Sequence, residues 1–335
     1  MNPFRTILAA LLAATVLATS LPAFAPAAVV TRDVAKSPAA VRDYWTKERM
    51  REAEPVPVDP DAATAPAPGP AEAPAAPSYV APAGPGDAGP AALERGAASS
   101  GLARGAGAAS LIANPAATGT RAHGKVFFTV KGGSAPDDYV CSGTAVNSRN
   151  QSLVWTAGHC IYDWEDQGGK SVNFQFVPAY SGKGKPFGEW PASELATTSQ
   201  WKRDGNLRFD IGTAVVDRNP GGRTLQSIVG GRGIGFDQPR DQNYKLFGYP
   251  VEGIYADSLD EYRCKSALRG SDVPPGTGPN TLRASCDMTG GSSGGGWIAR
   301  GLLLSNTSYG YGTSPYLYGP YFSQTAKKLY KRSSR

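Results

Sequence analysis

The spacing of apolar residues changes character several times along the chain. Thr6 to Leu21 is an almost unbroken apolar run behind Arg5, and it ends at the small residues Ala23-Phe24-Ala25-Pro26-Ala27. That layout predicts a secretory signal peptide over 1–27. The run is shorter than the ~20 residues needed to span a bilayer, and no later segment is long and apolar enough to do so. Further on, Val41, Tyr44 and Trp45 recur at spacings of three and four, behind Ser37 as a helix cap and Pro38 at a first helical position. A short helix is expected there, either in a solvated linker or in a pro-segment docked on the folded domain. From Pro55 to about Asn114 periodicity disappears into Ala, Pro and Gly with scattered charges, the composition of a disordered spacer.

From about Thr118 to Arg335 short β-rich runs alternate with Gly, Asn, Asp and Pro punctuation, which predicts an all-β sandwich or barrel. The candidate strands are Lys125 to Val130, Tyr139 to Val146, Ser152 to Ala157, Val172 to Val177, Phe209 to Val216, Tyr244 to Tyr249, Leu259 to Lys265 and Leu302 to Thr307. Only Phe322 to Tyr330 reads as helical. The expected division is therefore 1–27 signal peptide, 28–117 largely disordered pro-segment and linker, and 118–335 a single folded domain.

Composition sharpens this division. The 335 residues include 41 Gly and 28 Pro, and the prolines crowd between Pro55 and Pro90. With 15 Tyr, 11 Phe and 6 Trp the later part can still bury a sizeable core. A net charge of +6 raises the question of nucleic acid. The basic residues are scattered, with Lys327-Lys328 and Lys331-Arg332 the clustered exceptions, so a nucleic-acid partner is not expected. Two His and four Cys leave too few ligands for a multi-ligand zinc site, and no metal or cofactor is expected. The acids Asp163, Glu165 and Asp166 read as a solvated loop rather than a calcium site.

The cysteines form two sequence-local pairs, Cys141 with Cys160 and Cys264 with Cys286, among three possible connectivities. In an exported chain the local pairing is preferred. Loops of that size contribute about 3 kcal/mol each on a chain-entropy account.

Three segments carry chemistry. Trp155-Thr156-Ala157-Gly158-His159-Cys160 ends an apolar strand with a histidine, Asp210 heads the apolar run Ile211 to Val216, and Gly290 to Gly296 is a glycine-rich turn around Ser292-Ser293. Acyl transfer needs such a set: a hydroxyl nucleophile, an imidazole to take its proton, and a carboxylate to fix the imidazole's tautomer. Glycines beside the serine let backbone N–H groups face a developing oxyanion. Gly291-Ser292-Ser293-Gly294-Gly295 also fits the elbow of α/β-hydrolases, but that fold needs a histidine after the serine. His123 and His159 both precede Ser293, leaving only the order His, Asp, Ser.

That order and these motifs resemble the chymotrypsin-like serine peptidases, with their Thr-Ala-Ala-His-Cys and Gly-Asp-Ser-Gly-Gly-Pro signatures. The Gly-rich serine turn and Gly248-Tyr249-Pro250 look like the bacterial branch that contains the glutamyl endopeptidases. The resemblance covers about Gly124 to Tyr330. It implies two six-stranded antiparallel β-barrels with a C-terminal helix. It also implies Ser293 as nucleophile, His159 as general base and then acid, Asp210 as orienting carboxylate, and the N–H groups of Gly291 and Ser293 as oxyanion hole. Asp204 and Asp217 lie nearby, but neither opens an apolar strand as Asp210 does. His123 is expected near the surface without a catalytic role.

Two positions depart from the family. Ser292 stands where animal members carry the Asp that meets the new N-terminus on activation, so latency is expected to come from the pro-segment or from how the mature terminus docks. Gly296 replaces the closing Pro. For the substrate, Asp287 lies at the offset of the trypsin-like pocket carboxylate, although Cys286 is placed differently from the family's half-cystine. Ser308-Tyr309-Gly310 looks like the strand that pairs with the substrate backbone, and Thr307 then occupies the place of the glutamyl-specific histidine, which disfavours glutamate. The expected protein is a secreted, monomeric serine endopeptidase acting on protein or peptide substrates, with no membrane partner beyond export. A catalytically silent binding module or surface adhesin on the same fold is the alternative.

Overall fold

A computed structural model describes residues 29–61, 72, 75–84, 107–131, 138–163 and 169–335. The expected signal peptide, much of the Ala/Pro/Gly spacer, and Glu165 and Asp166 lie outside the described residues.

Six strands close into a barrel: His123–Lys131, Asp138–Val146, Leu153–Thr156, Gly212–Val216, Trp190–Thr198 and Gly169–Pro178, the last returning to pair with the first. Every neighbouring pair within the ring is antiparallel. Alternation along the first strand sends Val126, Phe128 and Val130 into the interior, where Phe174, Phe176 and Trp190 meet them. Phe127 points to the other side and is also fully buried. That explains why Lys125 to Val130 reads as an almost continuous apolar run.

The second sheet runs Tyr309–Gly310, Tyr316–Gly319, Thr281–Ser285, Tyr262–Asp272, Asn243–Gly248, Gly296–Ala299, Leu302–Asn306, Gly233–Phe236 and Ser78–Val80. Its core is Tyr244, Leu246, Leu282, Trp297 and Leu304 around the Cys264–Cys286 disulfide. The other disulfide, Cys141–Cys160, closes the first barrel beside the histidine loop. The helix Gln324–Ser333 inserts Ala326, Leu329 and Tyr330 where the two sheets meet, against Trp155, Phe236 and Phe322.

Residues 29–61, expected within a largely disordered stretch, are instead structured and packed. Val29–Asp33 pairs antiparallel with Trp190–Thr198. The expected helix is Pro38–Tyr44, capped by Ser37 Oγ accepting from Ala40 N at 3.3 Å, and a second helix spans Lys47–Glu52. Val41, Trp45, Met50 and Ala53 are buried against Phe127, Val140, Val177 and Tyr180. Trp45 Nε1 donates to the Asn173 carbonyl at 2.6 Å. At 1.5–3 kcal/mol per large apolar side chain removed from water, this contact far exceeds what a passing linker makes.

Candidate active site

His159 follows the strand Leu153–Thr156, and Asp210 closes a short 3-10 turn, Leu207–Phe209, just ahead of Gly212–Val216. That turn is why the strand expected from Phe209 begins only at Gly212. Both residues belong to the first barrel, whereas Ser293 stands in the loop between Thr281–Ser285 and Gly296–Ala299 of the second sheet. Ser142 ties the two halves together: its N–H donates to the Ser293 carbonyl at 2.7 Å, and its Oγ donates to the Gly291 carbonyl at 2.9 Å while accepting from Tyr249 N at 2.9 Å.

Asp210 has no exposed surface. Its Oδ1 accepts from the His159 backbone N–H at 2.8 Å, and its Oδ2 accepts from His159 Nδ1 at 2.8 Å and from Ser308 Oγ at 2.5 Å. A carboxylate only accepts, so Nδ1 is the donor of this pair, which in a neutral imidazole leaves the lone pair on Nε2. Nε2 is buried and has no hydrogen-bond partner among the described residues, so the bond to a serine hydroxyl is not made in this state. Catalytic hydrogen bonds of this kind often tighten only when substrate binds.

Two glycines are dictated by this site. A Cβ on Gly158 would lie 2.8 Å from the Trp201 indole and 2.9 Å from Asp210 Oδ1, so the family's second Ala cannot stand here. Gly291 adopts φ +89, and a Cβ there would meet the Tyr249 carbonyl at 2.5 Å. That conformation leaves the N–H groups of Gly291 and Ser293 without an acceptor among the described residues.

A cavity of about 360 Å³ opens beside Ser293, and Asp287, Thr307, Ser308, Tyr309 and Gly310 all border it. Asp287 Oδ1 is already engaged, accepting from Ala109 N at 2.7 Å and from Tyr255 OH at 3.0 Å. Burial, together with Asp287, raises the Tyr255 phenol. The Thr307 hydroxyl accepts from Trp297 Nε1 at 3.0 Å.

His123, expected near the surface, is buried. Its ring stacks on Phe247 at 4.0 Å between centroids and its Nδ1 bonds the Thr144 hydroxyl at 3.0 Å. Burial lowers its pKa well below the ordinary imidazole value, and Arg232 lowers it further. Among the described residues, Cys141, His159 and Cys160 come close enough together to suggest a metal site, but both thiols are spent in a disulfide.

Trp201 escaped the sequence reading. It packs edge-on to His159 at 6.1 Å and donates from Nε1 to the Tyr162 carbonyl. Asn306 escaped too; its Nδ2 donates to the Asp210 carbonyl at 3.3 Å. Only its place two residues before Ser308 could have drawn attention to it.

Neither a family model nor a curated protein matches the sequence. Solved structures do. The protease Anisep from Arthrobacter nicotinovorans is 36% identical, with a TM-score of 0.58 over 64% of this chain and 95% of its own. A thermostable serine protease, AL20, from an extremophilic microorganism is also 36% identical, with a TM-score of 0.59 over 65% of this chain and 99% of its own. A Glu endopeptidase shares the fold at 16% identity, with a TM-score of 0.55 over 68% and 96%. With a closed barrel joined to a second sheet and two serine proteases matched over nearly their whole lengths, the chain belongs to the chymotrypsin-like serine peptidases and is a serine-type endopeptidase.

Proposed function

We propose that the protein is a secreted endopeptidase that cleaves peptide bonds through an acyl-enzyme on Ser293. The observation that carries this reading is Asp210 holding His159 by Nδ1, with Nε2 left without a partner among the described residues. In the proposed cycle Ser293 Oγ attacks the carbonyl carbon as its proton passes to Nε2, and the C–N bond breaks as that proton moves to the leaving amine. Water then repeats the sequence to release the acid. Gly291 and Ser293 N–H groups, without another acceptor among the described residues, would bind the oxyanion. Export is supported by the signal-like sequence over 1–27 and by two disulfides. Among the described residues no helix is long and apolar enough to cross a membrane.

A serine-directed fluorophosphonate should label Ser293 in active protein. Ser293→Ala should abolish labelling and lower kcat by at least about a thousandfold, since residual turnover in such sites comes only from binding and the oxyanion hole. Full proteolysis by Ser293→Ala would overturn the reading. The place of Asp287 at the cavity wall supports a preference for Lys or Arg substrates. Asp287→Ser should abolish such cuts in a peptide library, whereas cuts after large apolar residues by the unaltered protein would reject it.

A further inference from the structure

Residues 54–58 do more than link the docked helices to the spacer. Glu54–Pro55 pairs with Tyr139–Val140, and the pairing is parallel. Pro55 comes so close to the glycine turn that a Cβ on Gly290 would lie 2.8 Å from its own Cβ. Val56, 6% exposed, joins the apolar cluster that contains Cys141, Cys160 and Ile161. Val58 packs with Trp201, Leu207, Tyr309 and Tyr318. Val56, Pro57 and Val58 all border the cavity that Ser293 opens into. Burial alternates along them, Val56 inward, Pro57 outward and Val58 half-buried, as in an extended strand.

The direction of this strand matters. His159 gives its proton to the leaving amine, so the leaving side of a substrate lies toward His159 and the Cys141–Cys160 disulfide beside it. The acyl side lies toward Tyr309. A substrate therefore runs from the Tyr309 end to the Cys141 end. Residues 54–58 run the opposite way, from Tyr139–Val140, which lead into Cys141, to the cluster that holds Tyr309, and the following Asp61 lies near Tyr311.

We infer that residues 54–58 are an autoinhibitory strap that fills the catalytic cleft in reverse and is anchored by the helices Pro38–Tyr44 and Lys47–Glu52. This rests on the reading of Ser293 as nucleophile. Reversal inverts the order of carbonyl and amide along the cleft, so a carbonyl near Ser293 presents its amide nitrogen to the acyl side, away from His159. Pro55 and Pro57 add protection because neither has an N–H to pair with the cleft edges. Among the described residues no backbone hydrogen bond joins 56–58 to Ser308–Gly310, so side-chain burial holds the strap there. Placing a charge on either inward valine should release it.

The test uses the full chain. The rate of fluorophosphonate labelling at Ser293 is compared between the unaltered protein, Val56→Asp/Val58→Asp, Val58→Asp alone and the conservative Val58→Ile. We expect at least a tenfold faster rate in the double variant, a smaller gain in Val58→Asp and none in Val58→Ile. Should the double variant fail to fold, Val58→Asp carries the comparison. Equal labelling of the unaltered and charged proteins overturns the strap and leaves the peptidase reading standing. Absence of labelling in all four removes the nucleophile reading and the strap with it. Mass spectrometry tests the direction: the bonds between Pro55 and Val58 should stay intact during long incubation, and their cleavage in the unaltered protein but not in Ser293→Ala would overturn the reversed orientation.

Discussion

Glu261 has no exposed surface, and neither of its carboxyl oxygens finds a hydrogen-bond partner among the described residues. Burial pushes its pKa well above the ordinary carboxylate range, only partly offset by Arg232 and Arg263. The folded protein thus keeps the proton that the unfolded chain loses above its ordinary value of about 4.3. Above that pH the unfolded state binds fewer protons than the folded one, so stability falls as pH rises, until the folded-state pKa is passed. Glu261→Gln should therefore become more stable relative to the unaltered protein with a limiting slope of about 1.4 kcal/mol per pH unit. Urea unfolding at a series of pH values checks this, and a pH-independent difference would show Glu261 to be ionised in the folded state. Nothing local announces Glu261, which sits within a run that reads as an ordinary strand. His159, Asp210 and Ser293 stand out in the sequence because each lies in a recognisable motif, and the structure pairs the first two. Of the polar residues around them, Ser308 was read only as substrate strand, yet its hydroxyl also holds Asp210. A side chain's second partner is set by tertiary placement, which spacing does not encode.

All eight candidate strands have counterparts, though with shifted ends. Those that escaped have physical reasons. Trp190–Thr198 contains Pro191 and Glu194, and becomes a strand because Val29–Asp33 and Gly212–Val216 flank it. Gly233–Phe236 alternates glycine with apolar residues, and its missing side chains leave room for Leu302 and Leu304. The C-terminal helix was visible from its apolar spacing, but its structural weight was not. Leu329 is fully buried between the two sheets, so Leu329→Ala should cost about 2–5 kcal/mol. A fall in the urea midpoint with an unchanged slope would confirm it; a loss under about 1 kcal/mol would mean the site collapses around the gap. Ser199–Asp204 and Leu225–Val229 are too short for a helical period to register in sequence, yet the first carries Trp201 to the histidine.

At the scale of the molecule, the division at about Thr118 separated the part that carries His159, Asp210 and Ser293 from the rest but concealed how much of the earlier chain is built into the fold. Proline-rich composition reads as spacer. Whether a few such residues dock depends on a groove formed by residues far along the chain, and composition does not contain that information. Residues 29–61 supply a strand to the first barrel and four buried side chains to its outer face. A single cut in the Ala/Pro/Gly stretch should therefore leave the two pieces bound. Size exclusion after limited proteolysis should show co-elution until urea is added, and separation without denaturant would show the docking to be weak. The pairing of Val29 with Thr198 has a further consequence, in time rather than space. Thr198 is synthesised about half the chain later, so this pairing closes a very long loop and belongs among the late events of folding. The leading segment has to wait for its own receptor to be made, and the peptidase core must approach its final shape before it can be locked.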